Sequence, residues 1–267
     1  MDEPEVNTPI KLTSDEFWFL LNQFSPAYVV GMENPHLGWL IEEIEEADRT
    51  ALQGLIEKGI VKVIEEGKID LDDSVATLIR GCTHPEHSLI VNGSNGKDDA
   101  GLARYFHFAN GLIIEHFKIT PDQHQLSILQ NREEILAHLQ ENLRSDSDTK
   151  GSTESFFIAE ETLYNATSLY SMGKPDEGRS LLQESDLESA CATALADTLS
   201  HPVANASFVV ICNQNDPNMQ RVNGFGILEG KDQFWILKPI KRDRKQVVEF
   251  TPTDASSVRD QFIDLLP

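Results

Sequence analysis

One pattern recurs in this chain and narrows its fold more than any other feature. A helical stretch ends on Leu78-Ile79-Arg80-Gly81-Cys82-Thr83-His84-Pro85, and a second ends on Leu195-Ala196-Asp197-Thr198-Leu199-Ser200-His201-Pro202. After each come a strand-like run, a polar Asn-containing loop (residues 92–99 and 213–220), a strand, a turn, two more strands and a closing helix. The closing helices align Ile135, Leu139 and Leu143 with Val258, Phe262 and Leu266. A recurring order of this kind signals a repeated supersecondary unit. Each unit would form a four-stranded sheet whose apolar face needs helices to cover it and whose edge invites pairing. The expected fold is therefore α+β: pseudo-two-fold duplicated helix–antiparallel sheet–helix units sharing a central sheet, joined edge to edge.

The remaining punctuation fits this plan. Thr13 or Ser14 can cap a short helix, because a side-chain oxygen there accepts an unpaired backbone N–H; Phe17, Trp18, Leu20, Leu21 and Phe24 give that helix an apolar face. Residues 1–11 read as a loose tail, 27–31 as a short strand or buried extended piece, and 35–58 as a long helix stopped by Gly59, which enters the left-handed region without a Cβ clash. Two short β-branched runs around residues 65–67 predict a small wing, and Asp72 or Asp73 starts the next helix. Strands are expected at 88–91, 103–108, 112–119 and 125–129, with Asn110-Gly111 as the hairpin turn. In the second half, 156–171, 176–183 and 186–200 read as helices, 206–212, 221–228, 233–238 and 246–250 as strands, and 254–266 as a final helix. Residues 144–154 carry no large apolar side chain, so burial cannot offset their ordering. They are the expected linker between a first unit, 1–143, and a second, 155–267, within one globule.

Charge decides which partners to exclude. With 44 acidic and 22 basic residues the formal charge is -22, a field that repels phosphate backbones and anionic membrane surfaces. A DNA-reading winged helix would meet phosphate with Glu42, Glu43, Glu45, Glu46 and Asp48. Nucleic acid is therefore not an expected partner. No apolar run approaches the roughly 18 residues of a spanning helix, and Met1-Asp2-Glu3-Pro4-Glu5 is unlike a secretory signal. The scattered cysteines Cys82, Cys191 and Cys212 form no CxxC pair and fit a reducing compartment. The expectation is a cytoplasmic protein without membrane insertion.

Candidate chemistry is sparse. His84-Pro85-Glu86-His87 contains zinc-ligand types, but the spacing is no zinc signature, and a proline that disfavours helical geometry in the preceding residue explains the step. His107 and His116 flank the Asn110-Gly111 turn; they can meet across the hairpin as a pH-sensitive or ligand pair, or serve as partly buried packing residues. Adjacent acid pairs such as Glu42-Glu43 and Glu45-Glu46 point apart on a helix and, like Glu65-Glu66, belong to a solvated face. Neither a nucleophile elbow nor a phosphate cradle occurs. Gly224-Phe225-Gly226 inside a strand suggests a bulge or a close backbone approach. The basic stretch 238–245 reads as a solvated hairpin tip or a docking point for an acidic partner. No catalytic, cofactor-binding or metal residue is expected, and the chain is read as non-enzymatic.

Several stretches together resemble the EspG-type family of type VII secretion chaperones. They are Leu12-Thr13-Ser14-Asp15-Glu16-Phe17, Leu55-Ile56-Glu57-Lys58-Gly59-Ile60-Val61, Gly67-Lys68-Ile69-Asp70-Leu71, the helix running to His84-Pro85, and the terminal Phe262-Ile263-Asp264-Leu265-Leu266-Pro267. The resemblance implies a pseudo-two-fold protein with a central sheet that binds helical secretion substrates in the cytosol. The expected function is thus a cytoplasmic protein-binding chaperone or adaptor whose partner is another protein, such as a helical-hairpin secretion substrate. Phe225, Phe234 and Trp235 are candidate contacts, weighed against a place in the sheet core. The competing readings are an immunity-type inhibitor of a basic effector and an enzyme with an unrecognised site.

Overall fold

The computed structural model describes residues 8–26, 28–64, 68–94, 102–140, 154–212 and 221–267. The first half runs β1 (Ile10–Thr13), α1 (Ser14–Asn22), α2 (Ile41–Glu57), β2 (Val61–Val63), β3 (Ile69–Leu71), α3 (Asp73–Thr83), β4 (His87–Ser94), β5 (Leu102–Ala109), β6 (Leu112–Thr120), β7 (Gln123–Leu129) and α4 (Arg132–Gln140). The second runs β8 (Phe156–Ala159), α5 (Glu160–Ser171), α6 (Pro175–Gln183), α7 (Ser189–Ser200), β9 (Ala204–Cys212), β10 (Arg221–Glu229), β11 (Phe234–Arg242), β12 (Lys245–Pro252) and α8 (Ala255–Leu265).

Local chemistry sets these boundaries. Thr13 caps α1 by accepting from the Glu16 amide at 3.2 Å, while a Glu16 carboxylate oxygen accepts from the Thr13 amide at 2.8 Å. This reciprocal pair satisfies two orphan donors. Asp72 caps α3 through the Ser74 and Val75 amides. Gly59 ends α2 with φ +71, and β2 and β3 pair as the expected wing, whose tip at 65–67 lies outside the described residues. Asn110 and Gly111 both take positive φ at the β5–β6 turn, and Asp243 and Arg244 do so at the β11–β12 turn.

Ten strands form one antiparallel sheet in the order β1-β7-β6-β5-β4-β9-β10-β11-β12-β8. Each half supplies a four-strand meander with a four-residue strand on its outer edge, and β4 meets β9 at the seam, with His87 opposite Cys212 and Ser94 opposite Asn205. Strand alternation divides the core by face. On one face Leu89, Phe106, Phe208, Phe225 and Ile236, drawn from both halves, pack with Ile135 of α4 and with Val258 and Phe262 of α8. On the other face each half has its own helices. In the first, Phe17, Leu20, Leu55, Leu78 and Ile79 lie over Ile114 and Leu126. In the second, Ala166, Leu182, Ala192 and Leu195 lie over Phe156, Trp235 and Phe250.

Four sequence expectations are corrected. Residues 10 and 11, read as the end of a tail, belong to β1. Residues 156–159 form β8 ahead of α5 and do not begin a helix. Both are outer edge strands whose four residues are too few to display a period, so pairing with β7 and β12 decides their state. Residues 28–31 are loop and turn rather than a strand, with Val29 and Val30 buried, and α2 begins at Ile41 rather than near 35, because residues 35–38 turn through Gly38 at φ +87. The expected linker, 144–154, lies outside the described residues except for Glu154, as do most of the loop at 92–99 and all of that at 213–220.

Candidate protein-binding surface

The two helix groups on the second face stop short of the seam. Registers β5·β4, β4·β9 and β9·β10 align Tyr105, Ile90, Val209 and Gly224 across four strands, with Ser88, Ile211 and Val222 in the next row. Ile90, Val209 and Ile211 are only half-buried, Val222 is 65% exposed, and none of the four belongs to a core cluster. β-Branched side chains fit a pleated surface that another layer covers. Here the middle of the sheet carries an apolar strip that no helix among the described residues covers. At its first-half side Gly31 lies against the Tyr105 ring, where an added Cβ would come within 2.6 Å of it. Burial, then the negative charge of Glu33, raise the Tyr105 phenol above its ordinary value, so it stays a neutral donor beside the strip. Gly224 is the close approach read from sequence: a Cβ there would stand 2.3 Å from the Phe208 carbonyl oxygen, and the pairing runs through it without a bulge.

The other candidates fall elsewhere. Phe225, Phe234 and Trp235 are 5%, 3% and 0% exposed, which corrects their reading as surface contacts. Phe225 and Phe234 point into the shared core and Trp235 into the second-half core, where it meets Phe250 edge-on at 5.9 Å. His84 is exposed and pairs with the Thr83 hydroxyl at 2.8 Å, and no cluster of three metal-ligand side chains is present among the described residues. His107 and His116 do meet, their rings stacked at 6.2 Å. Sequence reasoning missed the third member, His124, whose Nδ1 is 2.7 Å from Nε2 of His116 and whose Nε2 is 3.1 Å from the Ser14 hydroxyl. Its signal was its place on the same strand face as Leu126. The basic hairpin of β11 and β12 is exposed at its tip, and Arg242 lies over the Phe157 ring at 4.7 Å.

A cleft of about 950 Å³ lies between the start of α7 and residues 231–233 and includes Cys191 and His201. Burial, then Glu188 and Glu154, raise the Cys191 thiol, so it is held as a thiol and not as a nucleophilic thiolate. His201 follows ten residues later at the far end of the same helix, roughly 15 Å away at the rise of an α-helix. It cannot serve Cys191 as a base.

No family profile matches the chain, and no curated protein matches it in sequence. Its structure is similar to that of the Mycobacterium tuberculosis type VII secretion system chaperone EspG5, solved in complex with the PE25–PPE41 dimer. The TM-score is 0.64 at 15% identity, over 97% of each chain. The two share a fold. With that coverage the likeness takes in both halves of the sheet. No helix among the described residues is long and apolar enough to cross a membrane.

Proposed function

We propose that the protein is a cytoplasmic, non-enzymatic chaperone or adaptor that holds another protein against the middle of its sheet. The observation carrying this reading is the uncovered strip of Ile90, Val209, Ile211 and Val222 between the two helix groups. Covering each such side chain is worth on the order of 1–2 kcal/mol before the costs of association. The strip, with Gly224 carrying no side chain at its second-half end, suits a narrow apolar projection such as the end of a helical hairpin. The structural neighbour, a secretion-system chaperone, was solved with a protein dimer bound, which supports a protein as the partner; a helical secretion substrate is the partner we propose. The pseudo-two-fold halves are read as a duplicated unit joined through 144–154.

The test is co-expression with the products of adjacent genes, followed by purification through this chain. A partner should co-purify with the wild type and be lost from Ile211→Lys and Val222→Lys, because a lysine there places an uncompensated charge under the partner. Urea midpoints should stay within about 0.5 kcal/mol of wild type for Val222→Lys, as expected of an exposed site. Capture that is indifferent to both substitutions would move the interface off the strip.

A further inference from the structure

A second apolar surface lies away from the seam, on the segment leading into α2. Leu37, Leu40 and Ile41 are 84%, 65% and 71% exposed, and Trp39 beside them is 47% exposed. Consecutive large apolar side chains in solvent are unusual for a folded surface and mark interaction sites. The segment is also held in place. His36 is buried, its Nε2 lies 2.9 Å from an Asp15 carboxylate oxygen of α1, and its backbone N–H donates to the Asn34 side chain at 2.8 Å. The Trp39 ring lies tilted against His36, with ring centroids 4.9 Å apart. Leu40 occupies the position before the first turn of α2, where Ser, Thr, Asp or Asn would cap the helix. Its backbone N–H donates to a Glu43 carboxylate oxygen at 2.9 Å and its carbonyl accepts from the Glu43 and Ile44 amides, but its side chain caps nothing. A local rule is broken in order to place leucine in solvent, and such breaks collect at functional sites.

Behind this ridge, α2 is acidic. Glu42, Glu43, Glu45, Glu46 and Asp48 lie in its first half, and the helix's single basic residue, Arg49, pairs with Glu46. A groove along this flank is lined by Asp15, Trp39, Glu42, Glu43, Glu46 and Ala47, together with Thr50. Glu42, Glu45 and Asp48 have no ion-pair partner among the described residues. We propose that the ridge of Leu37, Leu40 and Ile41, together with the acidic flank of α2, docks a basic amphipathic helix of another protein. Leucine-like anchors at i, i+3, i+4 and i+7 would cover the ridge, as helix-in-groove recognition does. Flanking Lys or Arg would meet the free carboxylates and the Trp39 face. Charge argues against the other occupants. A second copy brings the same acidic flank and the same net charge of -22, and an anionic membrane is repelled in the same way.

The probe is a fluorescein-labelled model helix of about 18 residues, a length that helical peptides need for appreciable helicity, with leucines on one face and lysines beside them. Anisotropy with the full chain should show binding that weakens as salt rises. A scrambled peptide of the same composition and a glutamate-for-lysine version should not bind. The triple variant Leu37→Ser/Leu40→Ser/Ile41→Ser should weaken binding by about tenfold or more. Glu42→Gln/Glu45→Gln/Asp48→Asn should weaken it and flatten its salt dependence. Circular dichroism should confirm that both variants remain folded, as exposed substitutions allow. Val222→Lys, which tests the central strip, should leave this binding unchanged, so the two surfaces can fail separately. Equal binding of the scrambled peptide, or indifference to the triple variant, would overturn the proposal. So would a concentration-dependent dimer of the wild type that the triple variant abolishes, because the ridge would then belong to a second copy.

Discussion

Three fully buried histidines set the acid response of the first half. His107, His116 and His124 lie on adjacent strands under α1, with Phe17 edge-on to His116 at 5.1 Å and against His124 at 5.2 Å. Ser88 bonds to Nδ1 of His107, while Nε2 of His107 and Nδ1 of His116 are buried without a partner among the described residues. Burial pushes His107 and His124 down from 6.5 to about 4. His116 is held well below its usual value by burial first and then by its neighbours His107, His124 and Lys118. Asp122 opposes this only at His124. The folded state therefore excludes protons that the unfolded chain takes up. Stability is full above pH 6.5 and falls as pH drops toward about 4, by up to about 1.4 kcal/mol per pH unit for each histidine. Urea unfolding between about pH 7.5 and pH 5 should show this decline, before most carboxylates titrate. A flat profile would mean that the three rings are not buried as neutral groups. Two buried carboxylates in the same half are paired with cations: Glu16 with Lys58, and Glu115 with Arg104.

At the scale of elements, legibility followed length and period. The eight meander strands and the capped helices were readable because alternation and caps are local signals: Asp72 ahead of α3, Gly59 after α2, Asn110-Gly111 between β5 and β6. The edge strands β1 and β8 were not, since Ile10–Thr13 and Phe156–Ala159 owe their state to partners far along the chain. The apolar strip was also hidden. Ile90, Val209 and Ile211 look like any strand core residues, and only the place where the helix groups end leaves them uncovered. The ridge at 37–41 escaped because its leucines fit a helical period and so read as the buried face of an earlier helix start. Gly224 could be read directly, and it supports a test at this scale. Gly224→Ala puts a methyl group against the backbone of β9, 2.3 Å from the Phe208 carbonyl oxygen and 3.1 Å from the Val209 Cα. Rigid backbone cannot yield as a side-chain end can, so the substitution should cost about 1–3 kcal/mol in urea unfolding. A neutral result would mean that β9 and β10 part easily there.

The whole molecule is organised around its seam. Strands β4 and β9 pair along their full lengths, and beneath them lies the one core cluster that draws residues from both halves. Phe208 is central to it: fully buried, 4.8 Å from the Phe225 ring and 5.4 Å from the Phe262 ring, with Val91 opposite it across the seam. The second-face clusters, by contrast, each belong to one half. Any cooperativity between the halves must therefore pass through the seam and the layer formed by α4 and α8. Phe208→Ala should cost about 3–5 kcal/mol, the range for deleting a buried phenylalanine. Its signature should be shared, with amide hydrogen exchange rising in β4–β5 as well as in β9–β10, because local opening spreads through a common cooperative unit. If exchange rose only in the second half, the halves would be separate folding units that happen to pair. The same layout bears on the binding proposed at the seam: Ile90, Val209 and Ile211 stand on strands whose other face is packed into the shared core, so the proposed partner could settle on them without moving those strands.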